Sequence, residues 1–224
     1  MKNSTFYAYI APFVVFMLLL CLGDVMATLG WSNYFLAQPK YWIFPLQTVV
    51  CGGLVAFYWR RYEFKPPQGW FFASAIALLV LGLWLAPQEL LKFPPRLDGF
   101  DPTLFPPGSL LYWGNLGMRF LRLAVVVPFL EEIFWRGFLL RYLIKEDFLS
   151  IPIGSFSWFS FGGVTLLFAL AHWGPDFVPA LLTGALFNWV AVRTRSLSSC
   201  VLAHAITNLL LGFYIMATRQ WGFW

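Results

Sequence analysis

Charge is what this sequence has least of. Asp, Glu, Lys and Arg make up 11% of its 224 residues, against roughly 25% in an ordinary soluble domain. A chain this poor in charge and 60% hydrophobic lacks the polar surface to coat a soluble core, and falls in the membrane class. Cysteine is scarce as well: Cys21, Cys51 and Cys200 have no paired spacing, so neither a disulfide framework nor a zinc knuckle is indicated. There are two histidines, no HExxH stretch, no internal repeat and no low-complexity segment. The net charge of +5 comes from Lys and Arg clustered at the ends of apolar runs, as the positive-inside rule expects. It is not a nucleic-acid signal.

What the chain does have is one apolar run after another. About 20 apolar residues cross the hydrocarbon core as a helix, and candidate spans fall at 10–29, 42–59, 70–86, 119–143, 156–173, 177–192 and 198–217. A shorter run at 110–118, between Pro107 and Arg119, is an interfacial piece or part of an eighth span. The sequence therefore predicts an all-α, polytopic membrane helical bundle of about seven to eight transmembrane helices, with the lipid bilayer as its surroundings. The organisation expected is one membrane domain, with helices and a loop in 1–118 and a core in 119–217. The first run carries Lys2 as its lone preceding charge and shows no small-x-small cleavage site, so it reads as a signal-anchor retained as the first helix. The stretch 87–109 holds Pro94-Pro95, Pro106-Pro107 and Asp98-Gly99-Phe100-Asp101, the breakers of an ordered loop. With the N-terminus cytoplasmic, Lys2, Arg60, Arg61, Lys65, Arg141, Lys145, Arg193 and Arg195 lie inside. Lys40, Lys92, Arg96 and Arg219 then lie outside, with Arg119 and Arg122 near a boundary.

Against that background the polar residues of the second half stand out. An ionisable side chain at the centre of a spanning helix costs roughly 2.5–3.5 kcal/mol on insertion scales, so each needs a reason. Both histidines, His172 and His204, fall inside predicted spans, and Glu131-Glu132 sits near the middle of the fourth. Residues four apart share a helical face. Glu132 can thus pair with Arg136, while Glu131, rotated by about 100°, is left to point elsewhere. His204 and Asn208 share a face in the same way, and Phe168 lies one turn before His172, where its ring can pack on the imidazole. The Glu132–Arg136 pair reads as structural, and Asp24 near the end of the first span reads as interfacial. Glu131, the two histidines and Asn208 exceed what structural roles account for.

These residues carry a resemblance. Glu131-Glu132-Ile-Phe-Trp-Arg136 fits EExxxR, Phe168-Ala-Leu-Ala-His172 fits FxxxH, and His204-Ala-Ile-Thr-Asn208 fits HxxxN. In that order, on successive helices with one plain helix before the last, they resemble the CPBP family. This is the CAAX-processing and bacteriocin-processing (Abi) group of intramembrane endopeptidases. The resemblance covers roughly 119–211, and the stretch 127–138 is also similar to the CAAX protease-related subgroup found beside bacterial protein-sorting systems. It implies hydrolysis of a peptide bond in a membrane-associated protein or peptide substrate, in a bacterial inner (plasma) membrane. By position, Glu131 and His172 would activate a water, and His204 and Asn208 would stabilise the oxyanion. Glu132, Arg136 and Phe168 would support them. In a second version a single divalent metal ion, zinc, is held by His172, His204 and Glu131. The chemistry suits the residue types: a carboxylate withdrawn from water is a stronger proton acceptor. An Asn amide or a His N–H can likewise donate to an oxyanion in a water-poor site.

Two rivals come from other classes. A non-catalytic immunity or chaperone-like membrane protein would keep the scaffold and bind a peptide partner. An ion-coupled transporter would relay protons through Glu131 and the histidines, but transporters show repeated halves or helices broken at mid-membrane, and here the polar groups crowd into one half. The peptidase reading expects Glu131, His172, His204 and Asn208 to converge on one polar cavity.

Overall fold

In lipid a backbone must satisfy its own N–H and C=O groups, and a helix is the way a single segment does so. The long apolar runs fold accordingly. The computed structural model describes residues 2–33, 36–97, 99–172 and 174–224. Asp98 of the loop and Trp173, the expected end of the fifth span, lie outside the described residues, as does the side chain of Lys2.

Among the described residues there are seven helices and no strand. We label them α1 (Lys2–Thr28), α2 (Lys40–Phe57), α3 (Trp70–Glu89), α4 (a continuous helical run over 110–142), α5 (Trp158–Leu170), α6 (Phe177–Thr194) and α7 (Leu197–Thr218). Serines cap three of them: the hydroxyls of Ser109, Ser157 and Ser196 accept from the backbone N–H of Tyr112, Ser160 and Ser199 at 3.1, 3.1 and 3.2 Å. These supply acceptors for N–H groups that a helix start leaves unpaired.

Five helices, α1, α2, α3, α6 and α7, are each long and apolar enough to cross a membrane. The other two helices depart from the expected spans for physical reasons. The fifth span shrinks to the 13 residues of α5, roughly 20 Å at 1.5 Å per residue, because Gly174 at φ 90° and Pro175 cannot continue a helix. The fourth lies within α4, which is continuous but changes its helical pattern. The run 110–118 is not a separate helix but the first turns of α4, which contains π-helical stretches at Arg122–Val126 and Ile133–Leu139. Pro128 explains the first of these, since it lacks an N–H and its ring displaces the carbonyl four residues before it. Val127 accordingly donates five residues back, to Arg122 O, in the π pattern.

The bundle closes around α4. Phe13 of α1 stacks on Phe134 at 4.1 Å between centroids and meets Trp135 edge-on at 5.3 Å. The stretch after α3, which itself runs three residues past the expected end, is an ordered loop: Lys40 Nζ donates to Gly99 O at 2.6 Å, Tyr41 Oη to Asp101 O at 2.8 Å, and Arg96 Nε to Asp176 at 2.8 Å. The segment Trp221–Phe223 tucks beneath that loop so closely that a Cβ on Gly222 would lie 2.0 Å from Arg96 O. Arg119 and Arg122, expected near a boundary, are instead buried within the bundle, 4% and 7% exposed. Asp24 is exposed.

At Gly184 the α5–α6 contact requires a bare backbone, because a Cβ there would stand 3.2 Å from Thr165 O and 3.3 Å from its Cα. Gly184→Val should therefore push the helices apart and lower stability by about 1–3 kcal/mol. Thermal melts in detergent test this, and an unchanged melt would contradict the packing described.

Candidate active site

The deepest polar cluster is built on Arg136, which has no accessible surface. Its Nη1 donates to Glu132 Oε1 at 3.0 Å, its Nε to Asn188 Oδ1 at 3.0 Å and its Nη2 to Gly184 O at 3.2 Å. The guanidinium lies over the rings of Phe168 and Phe187, 5.0 and 5.5 Å from their centroids. The i, i+4 pair expected from the sequence is thus present, but Glu132 has a second partner. His204 Nδ1 lies 2.9 Å from the same Oε1. Glu132 therefore orients an imidazole of α7 as well as neutralising an arginine of α4.

A cavity of about 260 Å³ lies beside this cluster, and Glu131, His172, His204 and Asn208 all line it. Glu131 is 7% exposed, and its Oε2 is buried with no hydrogen-bond partner among the described residues. His172 lies two residues beyond the end of α5 rather than inside a span, for the Gly-Pro reason already given. Its Nδ1 lies 2.9 Å from Phe168 O, and its ring packs on the Phe168 ring at 4.6 Å. Trp84 meets the other side at 5.9 Å, its own Nε1 donating to Thr183 at 2.9 Å. Asn208 Nδ2 donates to Leu123 O at 2.9 Å. That carbonyl lies five residues before Pro128, which has no N–H to offer it.

The tautomers follow from the partners. A carbonyl or an ionised carboxylate can only accept, so both histidines carry their proton on Nδ1 and leave Nε2 as the other reactive atom. His204 can then donate from Nε2 only with a second proton, for which Glu132 is the adjacent counter-charge. For a metal the fit is poorer: among the described residues no three His, Cys, Asp or Glu side chains gather as a ligand set. The zinc version, with His172, His204 and Glu131, is not assembled in this arrangement.

Sequence reasoning missed Asn188. It lies on the helix read as plain, yet it is fully buried and donates from Nδ2 to Phe161 O at 3.2 Å and Thr165 Oγ1 at 3.1 Å. A lone Asn inside an apolar span was the available signal.

Fold and composition together describe an integral membrane helical bundle with a largely apolar cavity that Glu131, His172, His204 and Asn208 help to line. Residues 113–210 match the family described as type II CAAX prenyl endopeptidase Rce1-like. The match takes in a little under half the chain and includes all three motifs. Over that segment the chain is similar to the CAAX endopeptidases. No curated protein and no solved structure matches the chain.

The two glutamates should separate on mutation. Glu132→Ala leaves Arg136 buried without its counter-ion, and breaking such a pair costs about 3–5 kcal/mol. Glu131→Gln should leave the melting temperature nearly unchanged. Melts in detergent giving the reverse order would overturn the division of roles.

Proposed function

We propose that the protein is an intramembrane endopeptidase that hydrolyses a peptide bond of a membrane-associated protein or peptide. The observation that carries this reading is Glu131, a buried carboxylate with an unpartnered oxygen, lining one cavity together with two histidines and an asparagine. Glu132 also has a buried oxygen without a partner, Oε2, but its Oε1 is held by Arg136 and His204, and a purely structural carboxylate is expected to be held in that way.

In this reading Glu131 and His172 take the proton of a water as it attacks the scissile carbonyl. Asn208, with one amide hydrogen already on Leu123 O, offers the other to the oxyanion. His204, positioned through Nδ1 by Glu132, donates from Nε2 in its doubly protonated form to the oxyanion and then to the leaving amine. The non-catalytic scaffold has no comparable use for the open oxygen of Glu131. The N-in orientation and the bacterial inner membrane remain part of the proposal, as does the division into 1–118 and 119–217.

The test is cleavage of a membrane-anchored peptide by purified protein. Glu131→Gln should abolish turnover, and retention of full activity by that variant would end the catalytic reading. Asn208→Ala should lower turnover by roughly 10²–10³ with little change in KM, the signature of a lost oxyanion donor.

A further inference from the structure

The proposed chemistry leaves Asp24 without a task. It lies one turn before the end of α1, a helix long and apolar enough to cross a membrane, where a charge is costly and ordinarily has a partner. Among the described residues Asp24 makes no hydrogen bond or ion pair. It lines a second cavity, of about 300 Å³, bounded by α1, the start of α2 and the loop after α3. Asp24 and Ala27 are both exposed, so the cavity opens to the surroundings of the bundle. Lys40, the first residue of α2, lines it too. Its Nζ donates one hydrogen to Gly99 O at 2.6 Å and keeps two more to give. The remaining wall is apolar, with Leu20, Ile43 and Phe44 among its residues.

Two opposite charges that share a cavity without pairing match a ligand that carries both. Ends of spanning helices lie at the level of the lipid headgroups, where zwitterions with apolar tails are phospholipids. A carboxylate can only accept, and a primary ammonium brings three N–H donors to it. A quaternary ammonium brings none and relies on aromatic rings. Here the rings that line the cavity, Phe44, Phe100 and Trp224, already lie against the guanidinium of Arg119, 4.7, 5.7 and 5.8 Å from their centroids. That charge repels a second cation from the rings and favours a phosphate nearby. We propose that this cavity binds the headgroup of a zwitterionic phospholipid with a primary amine, the chemistry of phosphatidylethanolamine. The ammonium sits on Asp24, the phosphate on Lys40, and the first methylenes on Leu20 and Ile43. Leu20 and Trp224 line the candidate active site as well, so the lipid shares two wall residues with it.

The test is native mass spectrometry of the full-length protein in detergent. It is offered an equimolar mixture of dioleoyl phosphatidylethanolamine, phosphatidylcholine and phosphatidylglycerol. Bound ethanolamine lipid should exceed choline lipid about tenfold, the scale of one charge-assisted hydrogen bond. The N,N-dimethyl form of the ethanolamine lipid, which keeps one N–H, should be retained better than the choline lipid. Asp24→Asn should abolish the preference for ethanolamine over glycerol headgroups, since the ammonium loses its counter-charge and the anionic lipid its repulsion. Lys40→Gln should weaken all three lipids through their common phosphate, and Lys40→Arg should restore them. Equal retention of ethanolamine and choline lipids by the unaltered protein overturns the proposal, and that comparison needs no variant to fold. A preference that survives Asp24→Asn overturns it too, because the lipid then sits elsewhere. Asp24-dependent binding of a lysine-bearing oligoleucine peptide, with no preference among lipids, would give the cavity to a peptide instead. Cleavage enters none of these measurements, so failure of the peptidase reading leaves the lipid site standing.

Discussion

Arg136 has to be satisfied without water, and the second half of the bundle is arranged around that demand. Helices in lipid gain little from hydrophobic association, so packing and interhelical hydrogen bonds hold them together. The donors of Arg136 reach Glu132 on its own helix and Asn188 and Gly184 on α6. Asn188 extends the network to Phe161 and Thr165 on α5, and Glu132 extends it to His204 on α7. Four helices are thus tied through one charge cluster whose bonds are directional. The directionality matters for chemistry as well as stability, since it fixes the His204 ring beside the cavity that Glu131 faces.

A second constraint enters through Pro128. By removing a donor from the middle of α4 it forces a wide turn, which Val127 bridges five residues back to Arg122. The Leu123 carbonyl freed in that turn holds the amide of Asn208. The same proline that changes the helical pattern of α4 therefore creates the acceptor that orients the α7 residue assigned to the oxyanion. Wide turns of this kind are frequent at functional sites. Here Glu131 lies between the two of them in α4.

Much of this was legible from one dimension, and the failures have physical causes. The i, i+4 rule gave the Glu132–Arg136 pair, and the prolines of 87–109 gave an ordered loop, because both are local. The bond from Glu132 to His204 joins helices 72 residues apart and leaves no periodic trace. Arg119 and Arg122 were placed near a boundary because hydropathy along a chain cannot tell a cation reaching for the interface from one boxed in by Phe16, Phe44, Phe100 and Trp224. The span ending at 173 was too long because apolar composition continues through Ala171 while the backbone has already turned at Leu170. The effect is to place His172 in a turn, held by Phe168 O and the Phe168 ring rather than by helical register.

The division of the chain also bears on how a substrate would be read. The segment that matches the CAAX endopeptidases, 113–210, holds Glu131, His172, His204 and Asn208. Much of the apolar wall comes from outside it: Phe13, Phe16 and Leu20 of α1, Val80 and Trp84 of α3, and Trp224. An apolar peptide entering such a cavity can remain helical only until its scissile amide has to be exposed, and unwinding there leaves backbone groups without partners. Thr207 gives little help, since its single hydroxyl hydrogen is already shared between Ala77 O and Ala203 O at 3.1 and 3.0 Å. Asn208 keeps an amide hydrogen and its Oδ1. On the proposed reading, the residue able to compensate an unwound substrate is therefore the one that acts on its carbonyl. A peptide that cannot reach it gains nothing from unwinding, which makes selection of the substrate and commitment to cleavage the same physical event.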